Sequence, residues 1–151
     1  MIKIVRTDSS NEDFITLLRG LDAELAERDG SEHSYYVQFN KIDDINHVLV
    51  AYDDGRPVSC GAIKPLGPGR MEVKRMFTMP HSRGYGIGAA ILDELESWAA
   101  ELGASSCILE TGKRQPEAIR LYEKSGYSII PNYGQYVGVE NSVCFEKVLS
   151  T

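Results

Sequence analysis

The sequence predicts an α/β domain built on a mixed sheet. β-rich runs at 48–52, 57–63 and 71–79 are joined by Asp53-Asp54-Gly55 and by Pro65-Leu66-Gly67-Pro68-Gly69. Connections this short close hairpins, so the three runs form an antiparallel meander. A glycine-rich turn then opens an amphipathic helix that leads to a strand at 107–111, the pattern of a crossover to a parallel neighbour. With the terminal β-rich runs, this gives a central twisted sheet of six to seven strands flanked by about four helices, in one domain spanning 1–151.

Ile2 to Val5 is the opening strand. Ser9-x-x-Glu12 has the spacing of a capping box, and Phe14, Leu17, Leu18, Leu21 and Leu25 follow at helical intervals, so a helix runs from about Asn11 to Arg28 and ends at Gly30. Residues 33–46 are hardest to read and suggest a short second helix and a loop. After the glycine turn, Ile87, Ile91, Leu92, Leu95, Trp98, Ala99 and Leu102 share one helical face, and Gly103 ends the helix. Gln115-Pro116 opens a further helix that stops at Gly126, because proline suits the first helical position. Strands at 127–130 and 143–148 close the chain around a Tyr- and Gly-rich loop.

Composition narrows the function. A chain of 151 residues, 42% hydrophobic and 25% charged, can bury a core of ordinary size without disulfides or metals. No apolar run reaches membrane-spanning length and no apolar signal core opens the chain, so a cytoplasmic protein without a membrane partner is expected. Cys60, Cys107 and Cys144 are widely spaced within apolar runs and read as buried thiols. A net charge of -6 argues against a nucleic-acid partner. His33, His47 and His81 lack ligand spacing, so no metal is expected.

The chemistry concentrates between Met71 and Leu95. Gly84, Gly86 and Gly88 alternate where the backbone turns into a helix, whose first N–H groups lack internal partners and carry partial positive charge. Such a place suits a phosphate, and Arg83 at its lip can add a bidentate contact. The spacing Arg83-x-x-Gly86-x-Gly88 resembles the acetyl-CoA pyrophosphate motif of the GNAT superfamily of N-acetyltransferases. Ala118-Ile119-x-Leu121-Tyr122-Glu123-Lys124-x-Gly126-Tyr127 resembles the segment around that family's fourth helix.

The resemblance implies a GNAT-like fold, acetyl-CoA as acetyl donor, and transfer to a primary amine by direct attack in a ternary complex. It implies that Arg83, Gly84, Tyr85, Gly86, Ile87, Gly88 and Ala89 hold the pyrophosphate, while the backbone of Met76, Phe77 and Thr78 pairs with pantetheine. Tyr122 corresponds to a tyrosine that in many family members protonates the leaving thiolate; without the neighbouring motif, the residues alone favour a core tyrosine packed at helical spacing with Ala118 and Ile119. Glu72 corresponds to a general base in some relatives, and a surface pair with Lys74 is the other reading. Strand alternation puts Glu72 on the side of Lys74, Met76 and Thr78 unless a bulge intervenes. Gln115 stands where many relatives carry a cofactor-contacting asparagine. Tyr35, Tyr36, Asn132, Tyr133, Tyr136 and Asn141 are candidates for the acceptor pocket. The acceptor is a small-molecule or peptide amine, and a homodimer is left open.

Two other readings remain. Gly84-Tyr85-Gly86-Ile87-Gly88-Ala89 also satisfies a dinucleotide fingerprint, with Glu110 about 20 residues on as the ribose acid. A non-catalytic CoA-binding regulatory module is the other.

Overall fold

The computed structural model describes residues 1–29 and 44–149. Its elements in chain order are β1 (Ile2–Thr7), α1 (Glu12–Asp29), β2 (His47–Asp53), β3 (Arg56–Pro65), β4 (Arg70–Thr78), α2 (Ile87–Glu101), β5 (Ser106–Gly112), α3 (Pro116–Lys124), β6 (Ser128–Ile130) and β7 (Ser142–Val148). Short 3-10 turns occupy Pro80–Ser82 and Gly134–Tyr136. Seven strands form one sheet in the order β1-β2-β3-β4-β5-β7-β6. The first four run antiparallel, β4 and β5 are parallel, and β7 returns antiparallel between β5 and β6. The mixed sheet follows from loop length: short turns join β2 to β3 and β3 to β4, whereas α2 carries the chain across to β5.

Both faces are covered. Leu49, Ile63, Val73, Leu109 and Phe145 pack beneath Ile91, Leu92 and Leu95 of α2 and Tyr122 of α3. On the opposite face Val48, Val50, Cys60, Ala62 and Phe77 pack against Phe14, Leu17 and Leu18 of α1. Ile91, Leu92, Leu95 and Phe145 are fully buried, and each such side chain contributes about 1.5–3 kcal/mol.

Two local expectations are corrected. The cap of α1 is Asn11, whose Oδ1 accepts the Phe14 N–H at 2.9 Å. Ser9 does not form the capping box; its hydroxyl accepts the Ile45 N–H at 2.9 Å and so ties the start of the helix to the approach to β2. The second correction concerns β4. The β3–β4 register shifts between Cys60 and Ala62, and Arg75 has φ 60, so a bulge intervenes. Glu72 and Lys74 therefore share the α1 face with Phe77, whereas Met76 turns to the α2 side. A side chain at Gly61 would meet the Met76 sulfur at 2.6 Å, so the absent Cβ makes room for the bulged residue.

The described residues contain three α-helices, against about four expected. The short second helix proposed in 33–46, the end of α1 at Gly30, and Tyr35 and Tyr36 lie largely or wholly outside the described residues. Among the described residues no helix is long and apolar enough to cross a membrane. Cys60, Cys107 and Cys144 are buried, free thiols.

Candidate active site

The site lies where β4 and β5 separate. Their pairing covers only Arg70 to Glu72 against Ser106 to Ile108. Beyond Glu72 the β5-facing edge of β4 has no strand partner among the described residues, and the bulge at Arg75 lies on this unpaired stretch. Open main-chain groups on such an edge suit an extended amide-bearing arm.

The loop after β4 supplies an anion-binding end to this opening. Pro80–Ser82 makes one 3-10 turn, then Gly84 and Gly86 take φ 86 and 80, values that L side chains rarely adopt. Gly86 caps α2, and no side chain caps the helix beside it. The first helical bond runs from Ala90 N–H to Gly86 oxygen, which leaves the amides of residues 87–89 without helical acceptors. A Cβ at Gly84 or Gly86 would meet no protein atom within 4 Å, so the backbone there is approachable. These features fit a diphosphate.

A cavity of about 340 Å³ runs from this loop along β4 to α3. Met76, Phe77, Thr78, Arg83, Gly84, Gly86, Ile87, Gly88, Ala89, Gln115 and Tyr122 all line it, which brings together every expected cofactor-binding residue except Tyr85. Tyr85 is 79% exposed and does not line it. The Arg83 guanidinium is engaged: Nε donates to the Thr78 carbonyl at 2.8 Å, and Nη2 donates to the Glu24 carboxylate of α1. It also lies 5.6 Å from the centre of the Phe77 ring. In this arrangement Arg83 braces the loop against α1, and the bidentate phosphate contact expected from the sequence is not preformed.

A second cavity of about 100 Å³ is lined by Leu25, Val73, Lys74, Arg75, Glu110 and Thr111 among others. Leu21, Met76, Gln115, Ala118 and Tyr122 line both cavities. Tyr122 thus borders each of them. Burial, and then the charge of Glu110, push its phenol above the ordinary range, so it is a neutral O–H donor at neutral pH.

Glu72 is placed differently. It is buried, accepts the Tyr133 hydroxyl at 2.6 Å and has Lys74 at 3.7 Å. Among the described residues it lines neither cavity. Tyr133 packs edge-on against Tyr136 at 5.6 Å while its hydroxyl holds Glu72. Asn132 Nδ2 donates to the carbonyls of Tyr136, Val139 and Ser142, a role inside the loop rather than in a pocket.

Leu21, Glu24 and Leu25 of α1, together with Glu110, were not assigned to the site from the sequence. Nothing local marks the α1 residues, which reach the site only through packing across the sheet. Glu110 carried a signal, a lone carboxylate in the apolar strand Cys107–Thr111, but only the dinucleotide reading used it.

The profile of the Acetyltransferase (GNAT) family matches residues 14–127, a span that includes α1, the glycine loop and α3. The chain belongs to the GNAT family. It is 34% identical over 151 residues to an IAA acetyltransferase of Azospirillum brasilense, an alignment covering 98% of each chain. A crystal structure from Klebsiella pneumoniae, assigned as an acyl-CoA N-acyltransferase, superposes with a TM-score of 0.84 at 30% identity and covers 99% of each chain. An N-acetyltransferase of Thermoplasma acidophilum solved with coenzyme A shares the fold, with a TM-score of 0.73 at 19% identity over 98% of this chain and 99% of that one. As a GNAT protein the chain is an acetyl-CoA-dependent N-acetyltransferase, and the non-catalytic reading is not favoured. The dinucleotide reading fails on the sheet, where β4 and β5 form the one parallel pair among the described strands.

Proposed function

We propose that acetyl-CoA lies along the larger cavity, its diphosphate on the amides of residues 84–89 and its pantetheine arm beside Met76, Phe77 and Thr78, and that a primary amine enters from the smaller one. The observation that supports this seating is the shared lining: Tyr122 borders both cavities, so in this seating a thioester in one and an amine in the other lie beside the same side chain. Holding the two reactants in contact removes much of the entropic barrier to attack. The amine nitrogen then bonds to the thioester carbon, the carbon–sulfur bond breaks, and the Tyr122 hydroxyl donates its proton to the departing thiolate. Burial keeps that phenol protonated until the thiolate forms. The acceptor is a small-molecule or peptide amine.

Tyr122→Phe keeps the ring and its packing against Tyr127 and Phe145 but removes the proton. The expected result is a fall in kcat of about 10²-fold or more, within the range of general acid catalysis, with acetyl-CoA affinity nearly unchanged. Turnover equal to that of the parent would remove Tyr122 from the chemistry.

A further inference from the structure

Removal of a proton from the acceptor requires a base that the acceptor can reach, and Glu110 is the one acid lining the smaller cavity among the described residues. It stands on β5 two residues beyond Ile108, the last residue paired with β4, and so lies at the opening itself. Ser142 Oγ, reaching across from β7, donates to its Oε2 at 2.6 Å and fixes the carboxylate. Leu21, Leu25 and Val73 give the same space an apolar side, beside the polar side chains of Lys74, Arg75, Thr111 and Gln115. Glu72, by contrast, is held by Tyr133 and Lys74 outside both cavities.

We propose that Glu110 receives the proton of the acceptor ammonium, an assignment that rests on the seating of thioester and amine given above. The ammonium passes one proton to the Glu110 carboxylate, and its lone pair forms the carbon–nitrogen bond as the carbon–sulfur bond breaks. The thiolate takes the Tyr122 proton. The second proton of the new amide nitrogen restores the phenol, and Glu110 returns its proton to solvent. The charged and titratable groups facing Glu110 are Lys74 and Arg75 of β4, Tyr122 of α3, Tyr136 of the 3-10 turn and Cys144 of β7. The acceptor that suits this cavity is a small primary amine with an apolar flank, which Leu21, Leu25 and Val73 can contact.

The test compares the parent protein with Glu110→Gln, Glu110→Asp and Glu72→Gln, using the fastest acceptor among 2-phenylethylamine, cadaverine and glycinamide. CoA release is followed at neutral pH, and acetyl-CoA affinity is measured by calorimetry, which also reports that each variant is folded. Glu110→Gln is expected to lower kcat by about 10²-fold or more, with acetyl-CoA affinity within about threefold of the parent. Glu110→Asp restores part of the rate, and Glu72→Gln keeps kcat within about threefold of the parent. A Glu110→Gln protein that keeps the parent's kcat, or a Glu72→Gln protein that loses as much kcat as Glu110→Gln while still binding acetyl-CoA, overturns the assignment. A parent protein that binds acetyl-CoA yet acetylates none of the three amines overturns the acceptor reading on which the assignment stands, and one that does not bind acetyl-CoA overturns the seating itself.

Discussion

Replacing Gly86 with alanine separates the conformational role of the glycine loop from its role in binding. Gly86 has φ 80 and caps α2, and a Cβ added there would meet no protein atom within 4 Å. The variant therefore suffers no clash, only the strain of an L residue in a left-handed conformation, about 1–2 kcal/mol. In a chain of this size each kcal/mol lowers Tm by about 2–4 °C, so a fall of about 2–8 °C is expected and the protein stays folded. Binding is affected more. A phosphate oxygen must come within about 3 Å of an amide nitrogen, and a methyl on the adjoining Cα stands in that shell. Each charge-assisted bond lost is worth about 1.5–3 kcal/mol, so losing one or two weakens acetyl-CoA by about 10²-fold. Gly55→Ala is the control: Gly55 has φ 85 in the β2–β3 turn and equally open surroundings, so it carries the same strain away from the groove. Thermal unfolding and calorimetric titration of both variants decide the matter. Equal Tm losses with acetyl-CoA affinity unchanged in Gly86→Ala would refute the reasoning.

Other outcomes follow from the buried polar groups. Tyr133→Phe removes the hydroxyl that Glu72 accepts at 2.6 Å and leaves the carboxylate buried with one fewer partner, so urea denaturation should show a loss of about 1–3 kcal/mol. Burial pushes the thiols of Cys60 and Cys107 up to about 12 and about 11, and pushes the phenols of Tyr122, Tyr127, Tyr133 and Tyr136 above their ordinary range. The folded chain thus holds these protons where the unfolded chain has released them. Stability is fully present below about pH 8.5 and falls as pH rises through the range above it, by about 1.4 kcal/mol per pH unit for each group in its window. Urea midpoints from pH 7 to 11 should decline above pH 9, with the tyrosinate absorbance of Tyr122, Tyr127, Tyr133 and Tyr136 appearing only on unfolding; a flat profile to pH 11 would contradict the burial.

Much of this was readable in the sequence because the responsible signals are local. The turns at Asp53-Asp54-Gly55 and Pro65 to Gly69 dictate the meander, and the glycine run with the apolar stripe of α2 dictates the loop and its helix. What escaped the sequence depends on contacts across the sheet. Alternation alone puts Glu72 beside Met76, and only the bulge at Arg75 against Gly61 separates them. The cap of α1 shifted from Ser9 to Asn11 because Ser9 is used by Ile45, a partner 36 residues away. Arg83 turns toward Glu24, and Glu110 rather than Glu72 shares a cavity with Tyr122, through packing that no spacing rule encodes.

The central claim is that main-chain amides at the start of α2 hold the diphosphate of the acetyl donor. Amide shifts of isotope-labelled protein, titrated in parallel with CoA and with pantetheine, test it most directly. The account predicts that CoA moves the amides of Gly84, Gly86, Ile87, Gly88 and Ala89, whereas pantetheine moves only those near Met76, Phe77 and Thr78. Saturating CoA that leaves the 84–89 amides unmoved would contradict it.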